Sequence, residues 1–162
     1  MEYWDAYDRD GNRIEGVTLL RGEIIPDGMY HLVSDVLLRH RDGTILIMLR
    51  DIHKHFGGMW EATSGGSALL GENAAECAKR ELAEETGVRV DAVKEVGLEV
   101  NDERHTIYHE FYAETDCAKD SVKVQEGETV DYRWVTVDEL AGLKAEELLT
   151  RRMFHYVNLL CK

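Results

Sequence analysis

The chain has 162 residues, 32 of them acidic and 19 basic, with a formal net charge of −13 and 44% hydrophobic content. This suits one domain with a single core and excludes a disordered chain; no apolar run approaches the ~20 residues of a membrane-spanning helix. An acidic surface repels nucleic acid and anionic membranes, so neither is an expected partner. A small phosphorylated substrate remains compatible if a cation mediates its approach, and the charge also serves plain solubility.

The first residues, "MEYWDAYDRDGN", are acidic and aromatic, unlike the basic-then-apolar pattern of a secretory signal. Cys77, Cys117 and Cys161 are scattered without CxxC spacing, which fits free thiols in a reducing cytoplasm better than disulfides or zinc. A cytoplasmic location is therefore expected. Residues 2–8 read as a short strand and "DRDGN" as a turn with its corner at Asp10-Gly11. Asp8, Asp10 and Asn12 are spaced like the start of a calcium loop, but Arg13 stands where such a loop needs glycine. The single proline, Pro26, separates this N-terminal part from the rest, so 1–29 is an extension packed on a domain of 30–160.

A hairpin follows, "HLVSDVLLR" (31–39) and "TILIMLR" (44–50) joined by "HRDG". Next come a glycine-punctuated stretch at 55–66, a helix over about 73–86, and strands at 95–100, 105–114 and 130–137. In 105–114, Ile107, His109 and Phe111 alternate with Tyr108, Glu110 and Tyr112, which predicts one face open to a cleft or to solvent. Leu149, Met153, Tyr156, Val157 and Leu160 recur at helical spacing and predict a C-terminal helix docked on the core. The order does not alternate as a parallel βαβ sheet does, so the expected fold is α/β (α+β), a mixed sheet with helices on its faces.

The middle helix has both ends specified. Asn73 is a good N-cap with Glu76 three residues on, and Gly87 suits the position after the last turn. Ala75, Ala78, Leu82 and Thr86 form one small apolar stripe. Glu81, Glu84 and Glu85 form another, flanked by Cys77 and Val88. Clustered carboxylates without a paired base are either a solvated face or oxygen ligands for a hard divalent cation. The loop "SGGSALLGE" (64–72) leads into this helix with exposed backbone groups.

Residues 66–88, "GSALLGENAAECAKRELAEETGV", resemble the Nudix box, G-x5-E-x7-R-E-U-x-E-E-x-G-U with U aliphatic. Gly66, Glu72, Arg80, Glu81, Leu82, Glu84, Glu85, Gly87 and Val88 fill every fixed position, and the resemblance extends over about 30–160. It implies an α/β/α sandwich with a mixed sheet that hydrolyses a nucleoside diphosphate linked to another moiety, using Mg²⁺ or Mn²⁺, with water attacking phosphorus. By position, Glu81, Glu84 and Glu85 would be metal ligands together with a backbone carbonyl near Gly66, and Glu84 or Glu85 would serve catalysis. Arg80 would pair with Glu72 and hold the loop on the helix, and Gly87 would close the helix. The general base in similar proteins is a box glutamate or one on a later loop; here Glu126 and Glu128 stand in "VQEGETVDY", and Glu128 is favoured. Similar proteins are commonly homodimers, which leaves that assembly open.

Other residues carry weaker signals. Arg50 ends a hairpin strand within reach of a substrate phosphate, or is a surface arginine. His53 and His55 lack the further ligands of a zinc site and read as a substrate-side loop. Trp60 and Trp134 read as core, and Tyr108 and Tyr112 as packing residues able to stack on a base. The segments "EYWDAYDRDGNRIEG" and "YHLVSDVLL" resemble the branch related to isopentenyl-diphosphate isomerase, which protonates an alkene. That chemistry needs a cysteine before the box, where Ser64 and Gly65 stand, so an isomerase is the lesser reading. A non-catalytic nucleotide-sensing domain is the other alternative, and the intact box speaks against it.

Overall fold

The structure is a computed structural model that describes residues 1–149 and 152–160. Two strands, β1 (Tyr3–Tyr7) and β2 (Arg13–Leu20), form a small antiparallel sheet. The turn between them is closed by Asp8, whose carboxylate accepts from the backbone N–H groups of Asp10 (3.0 Å) and Asn12 (2.9 Å). An aspartate holding its own turn leaves the segment a turn and not an ion loop.

The main sheet runs β5-β4-β3-β8-β7, from β3 (His31–His40), β4 (Ile45–Arg50), β5 (Trp60–Glu61), β7 (Lys94–Asn101) and β8 (Thr106–Thr115). Off that path, β6 (Thr63–Ser67) pairs with β3 and β9 (Thr129–Val135) with β4. Strands β3 and β8 are parallel, from His31↔Thr106 to His40↔Thr115, and the remaining pairs are antiparallel, so the sheet is mixed as expected. The hairpin of β3 and β4 pairs at Arg39↔Ile45 beside its turn and then opens, because β6 takes the same edge of β3 over residues 33–37.

Residues alternate between two layers along each strand. Val36, Leu38, Leu46, Met48, Phe111 and Ala113 pack against Ala78 and Leu82 of α1 (Ala74–Thr86). Leu37, Ile45, Ile47 and Ala62 pack on the opposite side against Leu140 of α2 (Val137–Gly142) and Tyr156 of α3 (Arg152–Leu160). The result is the expected α/β/α sandwich. Helix α2, with its Thr136 and Glu139 capping box, was not anticipated; at six residues it is too short to show a period. Of the residues proposed to dock the last helix, Tyr156 is buried and Leu160 packs on the core, while Leu149 lies before α3. The side chains of Met153 and Val157, and the whole of Cys161, lie outside what the structure describes. Cys77 and Cys117 are free thiols.

The expectation of an open face on β8 is corrected. Tyr108 and Glu110 are both buried, and the Arg152 guanidinium of α3 sits 3.7 Å from the Tyr108 ring centroid. The strand is central and covered on both sides; its alternation of polar residues reflects a polar helix face packed there, not solvent.

Helix α1 begins and ends as its sequence dictates. Asn73 accepts from the Glu76 N–H at 2.9 Å while Glu76 returns the bond to the Asn73 N–H. Gly87 sits at φ 73° and its N–H reaches the Ala83 carbonyl. A Cβ there would meet only ordinary contact with Lys123, so the cost of Gly87→Ala is conformational: about 1 kcal/mol less stability in urea denaturation.

His31 joins the two sheets. Its ring stacks on Trp4 at 4.1 Å, and burial pushes its pKa down to about 4. Because the unfolded chain protonates near 6.5, His31 contributes its full stability above that pH and loses it as pH falls toward 4, about 1.4 kcal/mol per unit. Urea midpoints at pH 4.5 and pH 7 for wild type and His31→Gln isolate this slope. The comparison cancels Asp35, whose carboxyl burial pushes up to about 6 and whose contribution runs the opposite way.

Candidate active site

Strand β6 reads "TSGGS", a poor strand by propensity, yet it is paired with β3 along its length. Glycine is needed here because a Cβ on Gly66 would overlap the Glu81 carboxylate. The strand backbone therefore lies directly against the acidic stripe of α1. The Gly66 carbonyl accepts from the Cys77 thiol at 3.3 Å, and the Gly65 N–H approaches Glu85 Oε1 at 3.4 Å.

Arg80 organises the loop between β6 and α1. Its Nε and Nη2 donate to the two oxygens of Glu72 at 2.8 and 2.9 Å, and Nη2 also reaches the Ser67 carbonyl at 3.0 Å. This fork ties loop to helix as the pairing of Arg80 with Glu72 implied. The third nitrogen, Nη1, donates to Glu81 at 2.7 Å and Glu84 at 3.2 Å. The picture of acids without a paired base is thus corrected: Arg80 serves three carboxylates at once, which adjacency in sequence did not reveal.

Glu81, Glu84, Glu85 and Glu128 converge on one recess of about 490 Å³, floored by Gly65 and Gly66. Burial pushes the Glu81 carboxyl above its usual range in spite of Arg80. The Glu85 carboxyl is pushed well above it, by burial first and then by the neighbouring charges of Glu61 and Glu81. Glu61 is raised as well, burial outweighing its pairing with Arg50. Acids that raise one another's pKa are a site of stored negative potential. Among the described residues no three His, Cys, Asp or Glu side chains already stand at ligating distances; Arg80 draws Glu81 and Glu84 toward itself. The donor set, carboxylate oxygens against a glycine backbone, nonetheless has the chemistry a hard divalent cation takes.

Glu128 enters from the loop before β9. Its Oε1 accepts from Lys54 Nζ at 2.6 Å, and its backbone carbonyl accepts from the Asp51 N–H at 2.9 Å. Glu126 does not line the recess. Arg50 does not line it either: Nη1 binds Glu61 at 3.0 Å and Nε the His55 carbonyl at 3.1 Å. His53 and His55 are exposed on the loop after β4. Trp60 and Trp134 pack on the two opposite core layers. Sequence reasoning missed Glu61, Lys54, Glu2 and Arg21. The first two stand within twelve residues of the box as charges next to glycines, a faint signal; the last two offered none.

The NUDIX domain description matches residues 29–157. The chain belongs to the Nudix family. An uncharacterized Nudix hydrolase of Listeria monocytogenes is 30% identical over 152 residues, 90% of this chain and 86% of that protein. The NAD-capped RNA hydrolase NudC of Chromobacterium violaceum is 32% identical over 117 residues, 72% of this chain and 42% of that one. Among solved structures, DR0079 from Deinococcus radiodurans superposes with a TM-score of 0.74 at 19% identity, covering 99% of this chain and all of its own. That likeness is one of fold, and it includes the N-terminal sheet. The Nudix chain is an enzyme of the hydrolase class, like the relatives it matches. Among its described residues no helix is long and apolar enough to cross a membrane.

Proposed function

We propose that this Nudix hydrolase cleaves a pyrophosphate bond in a nucleoside diphosphate linked to another moiety, water attacking phosphorus, with Mg²⁺ or Mn²⁺ as cofactor. The observation that carries this reading is the convergence of Glu81, Glu84 and Glu85 with the Gly66 backbone on one recess. These three carboxylates and the Gly66 carbonyl would hold the cation. When bound, it neutralises the diphosphate and lowers the pKa of water.

The chain's own residues supply the rest. Arg80 fixes the Glu72 loop and keeps Glu81 and Glu84 apart from solvent. Arg50 holds Glu61 beside Glu85, sustaining its negative potential. Glu128, on a loop facing the helix, accepts the proton of the attacking water, and Lys54 sets its orientation. Residues 1–29 are an extension on the hydrolase domain of 30–160.

An isomerase would need a thiol where buried Ser64 stands. The Cys77 thiol, bonded to Gly66 and pushed up to about 12 by burial, does not replace it. The test is a panel of nucleoside diphosphate derivatives with product identification, with and without a chelator. Turnover that Mg²⁺ restores supports the reading. Conversion of isopentenyl diphosphate in its place, or binding without turnover, would replace it with the isomerase or the sensing domain.

A further inference from the structure

The family match begins at residue 29, but the recess does not: Glu2 and Arg21, from either end of the β1–β2 hairpin, line it together with the box carboxylates. The hairpin is bonded to the loop ahead of α1. The Leu70 N–H donates to the Tyr3 carbonyl at 2.9 Å, and the Gly71 N–H to Asp5 Oδ2 at 2.7 Å. Asp5 is buried, and its other oxygen takes Arg13 at 2.7 Å. Arg21 therefore stands at a position fixed relative to the catalytic helix.

Three cations line this recess among the described residues: Arg21, Lys54 and Arg80. Arg80 is bound to Glu72, Glu81, Glu84 and the Ser67 carbonyl, and Lys54 closes on Glu128. Arg21 is two-thirds exposed, with one ion pair, Nη1 to Glu2 Oε2 at 2.9 Å. A guanidinium has five N–H donors in a fork that matches phosphate oxygens, so most of its capacity is left for a second anion. Glu2 is itself held by Trp4 Nε1 at 2.8 Å. Burial pushes its carboxyl up, but the bonds from Trp4 and Arg21 outweigh that and keep it ionised to orient the arginine.

We infer that Arg21 is a substrate-binding residue, contributed from outside the family's common domain, that takes a phosphate oxygen of the diphosphate across the recess from the acidic helix. The inference rests on the proposed diphosphate specificity of that site. Glu2 holds the guanidinium in place and gives way as the phosphate arrives.

The probe is inorganic pyrophosphate with Mg²⁺, titrated by calorimetry into the full chain, alongside KM and kcat on any turned-over substrate. Arg21→Gln should weaken pyrophosphate binding and raise KM by about tenfold, with a much smaller fall in kcat. Arg21→Lys should recover part of the loss. Glu2→Gln, which releases Arg21, should leave binding unchanged or tighter, opposite in sign to Arg21→Gln. Arg9→Gln breaks a surface pair with Asp102 in the same hairpin and should change nothing. Equal affinity in wild type and Arg21→Gln overturns the inference, as does an equal loss in Glu2→Gln, which makes the pair merely structural, or absence of pyrophosphate binding in wild type. If no nucleotide derivative is hydrolysed while pyrophosphate binding still depends on Arg21, the hydrolytic reading fails and the Arg21 assignment stands.

Discussion

Glutamine in place of Glu85 is expected to lower kcat by about 10²-fold or more, while the melting temperature holds or rises. The two effects have one cause. Burial and the charges of Glu61 and Glu81 hold the Glu85 carboxyl well above its usual range, so its ionised form is unfavourable in the folded chain. A neutral amide of the same shape removes that repulsion, and with it the negative charge that stabilises a cation. Loss of turnover with gain of stability is the signature of a strained functional site, whereas a structural glutamate would lose both. Glu84 is exposed, so Glu84→Gln should cost turnover on the same scale without the stability gain. Near-normal turnover in both variants would remove these residues from the metal site.

Arg80→Ala is expected to be the most disruptive single change to the site, costing about 2–4 kcal/mol in urea denaturation and most of the activity. Its partners Glu72 and Glu81 are 14% and 15% exposed, so truncation strands two carboxylates away from water with their counter-ion gone. Arg80→Lys keeps the charge but cannot fork across Glu72 while reaching Glu81 and the Ser67 carbonyl. It should restore less than half of the stability and little of the kcat. Full rescue by lysine would show that only charge, not the fork, matters here.

Much of this architecture is legible before any coordinates. The capping box at Asn73 and Glu76, the left-handed Gly87 and the apolar stripe of Ala78, Leu82 and Thr86 are local rules, and α1 obeys each of them. The burial of β3 and β4 on both sides follows from their unbroken apolar runs. What stayed hidden depends on contacts distant in sequence. Gly65 and Gly66 look like a flexible connector until β3 pairs with them and Glu81 packs on their backbone. Tyr108 and Glu110 look amphipathic until α3 covers them. Arg21 lies 60 residues before Glu81 and comes to the recess only because Asp5 and Tyr3 tie its hairpin to the Gly71 loop.

The same split applies to the site. Spacing alone brings Gly66, Glu72, Arg80 and the glutamates into one motif, since loop, helix and cap are continuous in sequence. The electrostatic setting of that motif is tertiary. Glu61 raises Glu85 from a neighbouring strand, and Lys54 meets Glu128 across 74 residues of chain.

The account's central claim is that the Glu81–Glu85 face directs water onto a phosphorus of a nucleoside diphosphate derivative. Its most direct measurement is mass spectrometry of the products formed in ¹⁸O-labelled water with Mg²⁺, for wild type and Glu85→Gln. The expected result is two phosphate-bearing products from wild type, one of them carrying a single ¹⁸O, and at least a hundredfold less of both from the variant. Products without label, or equal product from both proteins, would contradict it.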